Sequence, residues 1–353
     1  MKILLKPAIV FLLLAALTAA AFAQSESGKI DARFRAATIE SVLRLLKEKY
    51  AYPEMAEKMR SAVTEKQKSG AYDSITDGEK LAAEITADLR AVFDDRHLKI
   101  SYSAQPISQN SAKAGAPTAE EIAAARRKQT RENFGAARVE ILDGNVGLIQ
   151  LNYFAPLDWS APAYAAMMNF VADTDALILD LRQNGGSMDV DTAPFISGYL
   201  FEKPVQVGEL YSRETGATRQ VWTPAQVPGR RYLGKPVYIL TSRRTASGAE
   251  GFVSSLKKLN RAVTIGETTM GATMPGMSHR VNEHFTIWIS TGRSSAADAQ
   301  NENKGIAPDF PVAPEKALAA AHLLILKQLL TAATDEQWQT QLKKFIARLD
   351  AAQ

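Results

Sequence analysis

Ser247 lies in Thr245-Ala246-Ser247-Gly248-Ala249-Glu250, where a loop of small residues runs into an apolar-periodic helix carrying Phe252, Val253 and Leu256. A serine at such a junction holds its hydroxyl at the positive end of the helix dipole, and Ala246 and Gly248 leave room for close approach of a substrate, which suits a nucleophile. Serine is equally a preferred helix N-cap, so this segment alone supports either role. A second candidate is Asp180-Leu181-Arg182-Gln183-Asn184-Gly185-Gly186. Paired glycines directly after an apolar strand let the backbone turn with positive φ and leave N–H groups uncovered, as an oxyanion site requires, although a plain tight turn uses the same residues. The chain has four histidines, His97, His279, His284 and His322. None belongs to the His-Glu-x-x-His pattern of a helical zinc site, and no metal is expected. One imidazole suffices for serine hydrolysis, because it can act first as base and then as acid.

Composition narrows the chemistry further. The 353 residues contain no cysteine, which removes thiol nucleophiles, disulfides, Cys-ligated zinc and iron–sulfur clusters, and no cofactor is implied. With 46% hydrophobic and 23% charged residues, the chain is an ordinary globular one, long enough for one large or two unequal domains. The balance of 42 Lys+Arg against 38 Asp+Glu is too even for a nucleic-acid binder. The densest basic cluster, Arg126-Arg127-Lys128, follows Glu120 and Glu121 and reads as a solvated helix face. Lys2 and Lys6 precede an apolar run from Pro7 to Ala21, and Ala21-Phe22-Ala23 before Gln24 fits signal-peptidase cleavage near Ala23. The run is shorter than the roughly 20 residues that span hydrocarbon, so a stable membrane anchor is not expected, and the protein reads as periplasmic or secreted.

These groups need elements to position them. Phe34, Ile39, Val42, Leu43, Leu46 and Tyr50 form a helical stripe, and Met55, Met59 and Val63 mark a second helix ending near Gly70. Thr76 with Glu79 predicts a capping box for a third helix bearing Leu81, Ile85, Leu89 and Val92. Alternation over Leu98, Ile100 and Tyr102 then predicts a strand, which puts His97 at a helix-to-strand junction. Residues 104–120 read as a linker before a polar helix over 118–132. From Val139 onward the pattern is α/β. Strands are predicted at 139–142, 147–154, 176–181, 237–240, 263–265 and 285–289, helices at 161–173, after Gly186, from Ser247, and at 314–331 and 335–349. The expected division is a signal peptide over 1–23, a helical module over 24–103, a linker and polar helix over 104–135, an α/β core over 136–332 and a C-terminal helix over 333–353.

Asp180-Leu181-Arg182-x-Asn184-Gly185-Gly186, Thr245-Ala246-Ser247-Gly248-Ala249-Glu250 and Gly266-Glu267-Thr268-Thr269-x-Gly271, in that order, resemble the tail-specific (C-terminal processing) protease family, which includes tricorn core protease and the interphotoreceptor retinoid-binding protein repeats. The resemblance covers roughly residues 30–330. It implies a crotonase-like (ClpP-like) ββα spiral core and serine-dependent hydrolysis of peptide or protein substrates. By position, Ser247 matches the nucleophile, and Gly248 with Gly185 and Gly186 matches the oxyanion donors. The lysine that activates the serine in the tail-specific branch would stand at Ala272. The tricorn-like branch uses a histidine instead, and Asp94-Asp95-Arg96-His97-Leu98 resembles the segment that supplies it, which makes His97 the implied general base. Glu302, in Asn301-Glu302-Asn303-Lys304-Gly305, resembles the glutamate that orients that histidine. Arg96 stands where that branch has a serine. Only about forty residues separate the helical module from the core, too few for a PDZ domain.

Other readings start from the same residues. The family resemblance also admits a non-catalytic carrier of an apolar ligand or peptide. Ser255-Leu256-Lys257-Lys258 matches the Ser-x-x-Lys tetrad of penicillin-recognising enzymes, but no Lys-Thr-Gly partner follows it, and it reads as a helix end. His279 is the fallback base, while His284 and His322 read as structural.

Overall fold

Apolar runs too continuous for a half-exposed strand build the central sheet. The computed structural model describes residues 29–107, 118–295 and 302–351. The expected leader, most of the linker and Asn301 lie outside these residues. Six strands line up in the order β12-β8-β7-β4-β3-β2, comprising β2 (Ala136–Leu142), β3 (Val146–Leu151), β4 (Ala176–Asp180), β7 (Val237–Thr241), β8 (Val263–Gly266) and β12 (Phe310–Pro311). All neighbours are parallel except the β2–β3 hairpin. Alternate residues of β4 and β7 serve opposite faces. Leu177, Leu179, Val237 and Ile239 pack with Tyr164, Met168, Phe252, Val253 and Leu256 on one side. Ile178, Tyr238 and Leu240 pack with Ala317, Ala321 and Ile325 on the other. A strand covered on both faces must be apolar at every position, as β4 and β7 largely are. The covering helices are α5 (Leu157–Phe170), α6 (Thr192–Gly198) and α7 (Gly248–Lys258) on the first face and α8 (Ala317–Ala332) on the second, with α9 (Glu336–Asp350) packed on α8.

Two smaller antiparallel sheets stand beside it. One has the order β11-β5-β6, from β5 (Gln206–Ser212), β6 (Thr218–Trp222) and β11 (Gly292–Ser294). The other has the order β1-β10-β9, from β1 (Lys99–Tyr102), β9 (Gly276–Arg280) and β10 (Phe285–Ser290). The second sheet joins distant parts of the chain, with Lys99 opposite Trp288 and Tyr102 opposite Phe285. Its apolar side completes the core of the N-terminal helices α1 (Ala32–Lys49), α2 (Pro53–Lys68) and α3 (Gly78–Val92), where Val42, Leu46, Met59 and Leu89 meet Val281, Phe285, Ile287 and Ile289. His97 therefore sits in the turn just before a strand that hydrogen-bonds to residues almost two hundred positions later.

Several expected boundaries shift. The third helix is capped by Asp77, whose carboxylate accepts the Lys80 N–H at 2.7 Å, so the Thr76–Glu79 pair is not the cap. The capping box forms at α4 (Ala119–Arg131) instead, between Thr118 and Glu121. The strand expected over 147–154 ends at Leu151, and the helix expected at 161 starts at Leu157. Strands β5, β6, β9, β11 and β12 have no counterpart among the strands expected from the apolar pattern. No helix among the described residues is long and apolar enough to cross a membrane.

Candidate active site

Strand β7 ends at Thr241, and the chain reaches α7 through a tight turn that fixes Ser247. Its backbone sits at φ 54°, ψ −123°, a conformation that a residue bearing a Cβ adopts at a cost of about 1–3 kcal/mol. An ordinary N-cap is extended, so capping does not account for this geometry. The turn is held by Glu250, which is fully buried. Its carboxylate accepts the Ser247 N–H at 3.0 Å, the Gly271 and Ala272 N–H groups at 2.7 and 2.8 Å, and the Thr269 hydroxyl at 2.5 Å. The Ser247 N–H also donates to the Ala272 carbonyl at 2.8 Å. One carboxylate thus fastens the serine turn to the 269–272 loop. The Ser-x-x-Glu spacing was the signal in the sequence for this residue.

The glycine turn after β4 lies against the serine. A Cβ on Gly186, at φ 125°, would come within 2.8 Å of Ser247 Cβ and 3.3 Å of its Oγ, so only glycine fits there. A Cβ on Gly248 would lie 2.5 Å from Ser187 Cβ. Buried Asn184 ties the two turns together, its carbonyl accepting the Ala246 N–H at 3.0 Å and its Oδ1 the Gly186 N–H at 3.0 Å. The Gly185 N–H donates to the Asn152 carbonyl at a longer 3.3 Å, whereas the Gly248 N–H has no acceptor among the described residues. The Asp180–Arg182 part of the motif is structural. Arg182 grips the Asp180 carboxylate through Nε and Nη2 at 2.9 and 2.6 Å and donates to the Pro314 carbonyl, which anchors the end of β4.

His97, Glu302 and Asp95 converge, with one ligand atom of each within 4.8 Å of the others. Asp95 is fully buried and shapes the histidine loop, its Oδ1 accepting the His97 and Leu98 N–H groups at 2.9 and 3.3 Å and its Oδ2 the Tyr50 hydroxyl at 3.1 Å. Three such donors commit Asp95 to the loop, so the cluster suits an imidazole flanked by carboxylates better than a metal ion. Thr273 holds Glu302 from the other side, donating from its N–H at 2.9 Å and its hydroxyl at 2.5 Å to Oε2. Glu302 Oε1 and His97 Nδ1 are both buried with no hydrogen-bond partner. Burial pushes the His97 pKa below its ordinary 6.5, against the pull of Asp95 in the other direction, so the ring is neutral at pH 7. Burial pushes the Glu302 carboxyl up, opposed by the Thr273 bonds.

Arg96 does not pair with Glu302. Its guanidinium donates to the carbonyls of Met270 and Asn303, the latter at 3.0 Å, and so laces the histidine loop to the two loops that carry the serine's supports and Glu302. The link from Ser247 to this cluster runs through Ala272 and Thr273, adjacent residues that bond to Ser247 and Glu302 respectively. Ser247, Gly248, Thr273 and Trp288 line one cavity of about 220 Å³, walled by Met188, Val207, Leu210 and Phe252. The His97 and Trp288 rings meet edge to face with centroids 5.4 Å apart, which leaves His97 one side-chain layer from that cavity. No hydrogen bond joins Ser247 Oγ to His97 among the described residues.

The remaining histidines lie elsewhere. His279 sits on β9 with a pKa lowered by burial, His284 Nδ1 is 2.8 Å from the Ser103 carbonyl, and His322 Nε2 is 2.7 Å from the Asp143 carbonyl. Ser255 is occupied structurally, donating to the Val207 and Gly251 carbonyls at 2.6 and 2.7 Å.

Two family profiles match the chain. The profile of peptidase family S41 matches residues 145–312, and that of the N-terminal domain of Peptidase_S41 in eukaryotic IRBP matches residues 32–140. Among curated proteins, the carboxyl-terminal-processing protease of a Synechocystis species is 24% identical over 166 residues, 47% of this chain and 37% of that protein. The carboxy-terminal processing protease CtpA of Bacillus subtilis is 25% identical over 170 residues, 48% of this chain and 35% of that protein. The matched stretch is thus little more than a third of either relative. Among solved structures, a candidate peptidase from Parabacteroides merdae superposes with a TM-score of 0.56 at 17% identity, covering 83% of this chain and 96% of the other. A lipoprotein from Streptococcus agalactiae gives 0.52 at 18% identity, covering 82% and 96%. At such identities these two speak for the fold alone.

Proposed function

We propose, from the premise that the chain belongs to peptidase family S41, that it is an exported serine peptidase in which Ser247 attacks the scissile carbonyl and His97 is the general base. The observation that carries this reading is the strained Ser247 turn, locked by Glu250 against a glycine turn and opening into a cavity next to the His97–Glu302–Asp95 cluster. Backbone strain of this kind persists where function requires the hydroxyl to stand clear of its own helix. His97, kept neutral by burial, accepts the serine proton and returns it to the leaving amine. Glu302 steadies the imidazolium that forms between those steps, its unpartnered Oε1 facing the same cluster as His97 Nδ1. The Oε1–Nδ1 and imidazole–Ser247 hydrogen bonds that this reading requires belong to the substrate complex, since catalytic hydrogen bonds are often long in unliganded sites.

The oxyanion forming on the substrate carbonyl goes first to the uncommitted Gly248 N–H at the start of α7. The Gly185–Gly186 turn supplies the second donor, shared with the bonds those amides already make to Asn152 and Asn184. The division at residues 23, 103, 135 and 332 and the absence of a PDZ domain remain part of this reading, as does a crotonase-like spiral core. Export rests on the leader-like first 23 residues. The carrier alternative loses support from the Ser247 strain, which apolar-ligand binding does not require.

Hydrolysis of a quenched peptide library tests the reading. Ser247→Ala and His97→Ala each lower turnover by about 10³-fold or more while the protein remains folded. Turnover undiminished in both variants removes the proposal, and saturable apolar-ligand binding without turnover in the wild type establishes the carrier.

A further inference from the structure

A second compartment adjoins the serine cavity and holds a cation that no carboxylate of the described residues pairs. It encloses about 380 Å³ and shares Glu209, Thr273 and Ser294 with the cavity that Ser247 lines. Strand β5 walls both, with Val207 and Leu210 on the first compartment and Tyr211 on the second. Opposite Tyr211 in the β5–β11 register stands Arg293. Its guanidinium carbon lies 4.1 Å from the centre of the Tyr211 ring and 5.2 Å from that of Tyr52, so two aromatic faces hold the group while leaving its N–H edges open. Glu209 and Glu302 line the same compartment, yet Arg293 has neither an ion pair nor a hydrogen bond with any described residue. A planar fork of donors in this state matches a carboxylate, which it can take bidentately.

We infer that Arg293 is the specificity-determining residue of the cleft, receiving a carboxylate of a bound peptide whose neighbouring apolar side chain fills the compartment beside Ser247. This rests on the peptidase reading for its biological sense, but the binding it asserts does not require turnover. The distance sets the spacing. Val207 stands about 13 Å along the strand from Tyr211 and Leu210 adjoins it, so the carboxylate falls within about four residues of the apolar side chain. A chain terminus and an aspartate or glutamate side chain both offer the required group.

The test uses the full-length Ser247→Ala protein, which binds without cleaving, and three fluorescein-labelled pentapeptides with a central leucine. One ends in a free carboxylate, one in an amide, and one in an amide preceded by aspartate. Anisotropy is expected to give about tenfold or greater tighter binding for at least one carboxylate peptide than for the plain amide. Arg293→Ala abolishes that preference, Arg293→Lys restores part of it, and neither changes binding of the plain amide. Preference for the free terminus alone identifies a terminal carboxylate, and preference for the aspartate peptide identifies a side chain. Equal binding of all three, or a preference that survives Arg293→Ala, overturns the inference. With wild-type protein, hydrolysis that shows no carboxylate preference leaves the peptidase standing and removes the Arg293 site. Carboxylate-selective binding by Ser247→Ala without wild-type hydrolysis does the reverse.

Discussion

Ser247, His97 and Arg96 each carry a distinct physical burden. Ser247 holds an unfavourable backbone conformation because Glu250 and Ala272 together fix its N–H. His97 is held neutral chiefly by desolvation, which disfavours the imidazolium, with Asp95 opposing. A base works only while unprotonated, and a lowered pKa keeps it so to lower pH. The acidic limb of kcat/KM therefore falls below pH 6.5, as a pH–rate profile of the free enzyme will show, and a limb at or above 7 contradicts the assignment. Arg96 acts through others. Losing its bonds to the Met270 and Asn303 carbonyls frees the histidine loop, and a displacement near 1 Å costs roughly 10²-fold in turnover. Arg96→Ala is expected to lower kcat by about 10- to 100-fold with KM little changed, with Arg96→Lys recovering part of the loss, which steady-state kinetics on a single substrate will separate.

At the scale of elements, the site is a junction of loops fastened by buried carboxylates. Glu250 joins the start of α7 to the 269–272 loop through four donors. Removing it strands those donors away from water, at about 1–3 kcal/mol for each that finds no replacement. Glu250→Ala should destabilise the protein by about 3 kcal/mol or more in urea unfolding, and Glu250→Gln, which keeps an acceptor, by clearly less. Equal stability of all three proteins would show that the turn stands without this support. The elements differ in how far the sequence revealed them. Strands β4 and β7 are legible because burial on both faces demands unbroken apolar runs. Strands β6 and β9 are not, since Thr-Arg-Gln-Val-Trp is polar and largely exposed and Gly-Met-Ser-His-Arg is polar and at most half-buried, and backbone pairing with β5 and β10 holds them in place. The Ser247 and Gly185–Gly186 turns were legible from small residues at strand ends. Asp95 and Arg96 were not assigned their roles, because their partners lie on loops whose approach only the folded chain defines.

At the scale of the whole molecule, the site exists because the N-terminal helices and the α/β core are not independent. Strand β1 pairs with β10, and Phe285, Ile287 and Ile289 complete the core of helices α1–α3. That pairing delivers His97 to Trp288 and Glu302, and Trp288 stands between its ring and the cavity where Ser247 opens. Each half of the chain supplies one half of the proposed chemistry. The direct measurement is mass-spectrometric mapping of a fluorophosphonate probe on the folded protein. The account predicts a single adduct on the peptide containing Ser247, absent in Ser247→Ala and formed about 100-fold or more slowly in His97→Ala. An unlabelled Ser247 in active-site-intact protein, or labelling at the same rate without His97, contradicts it.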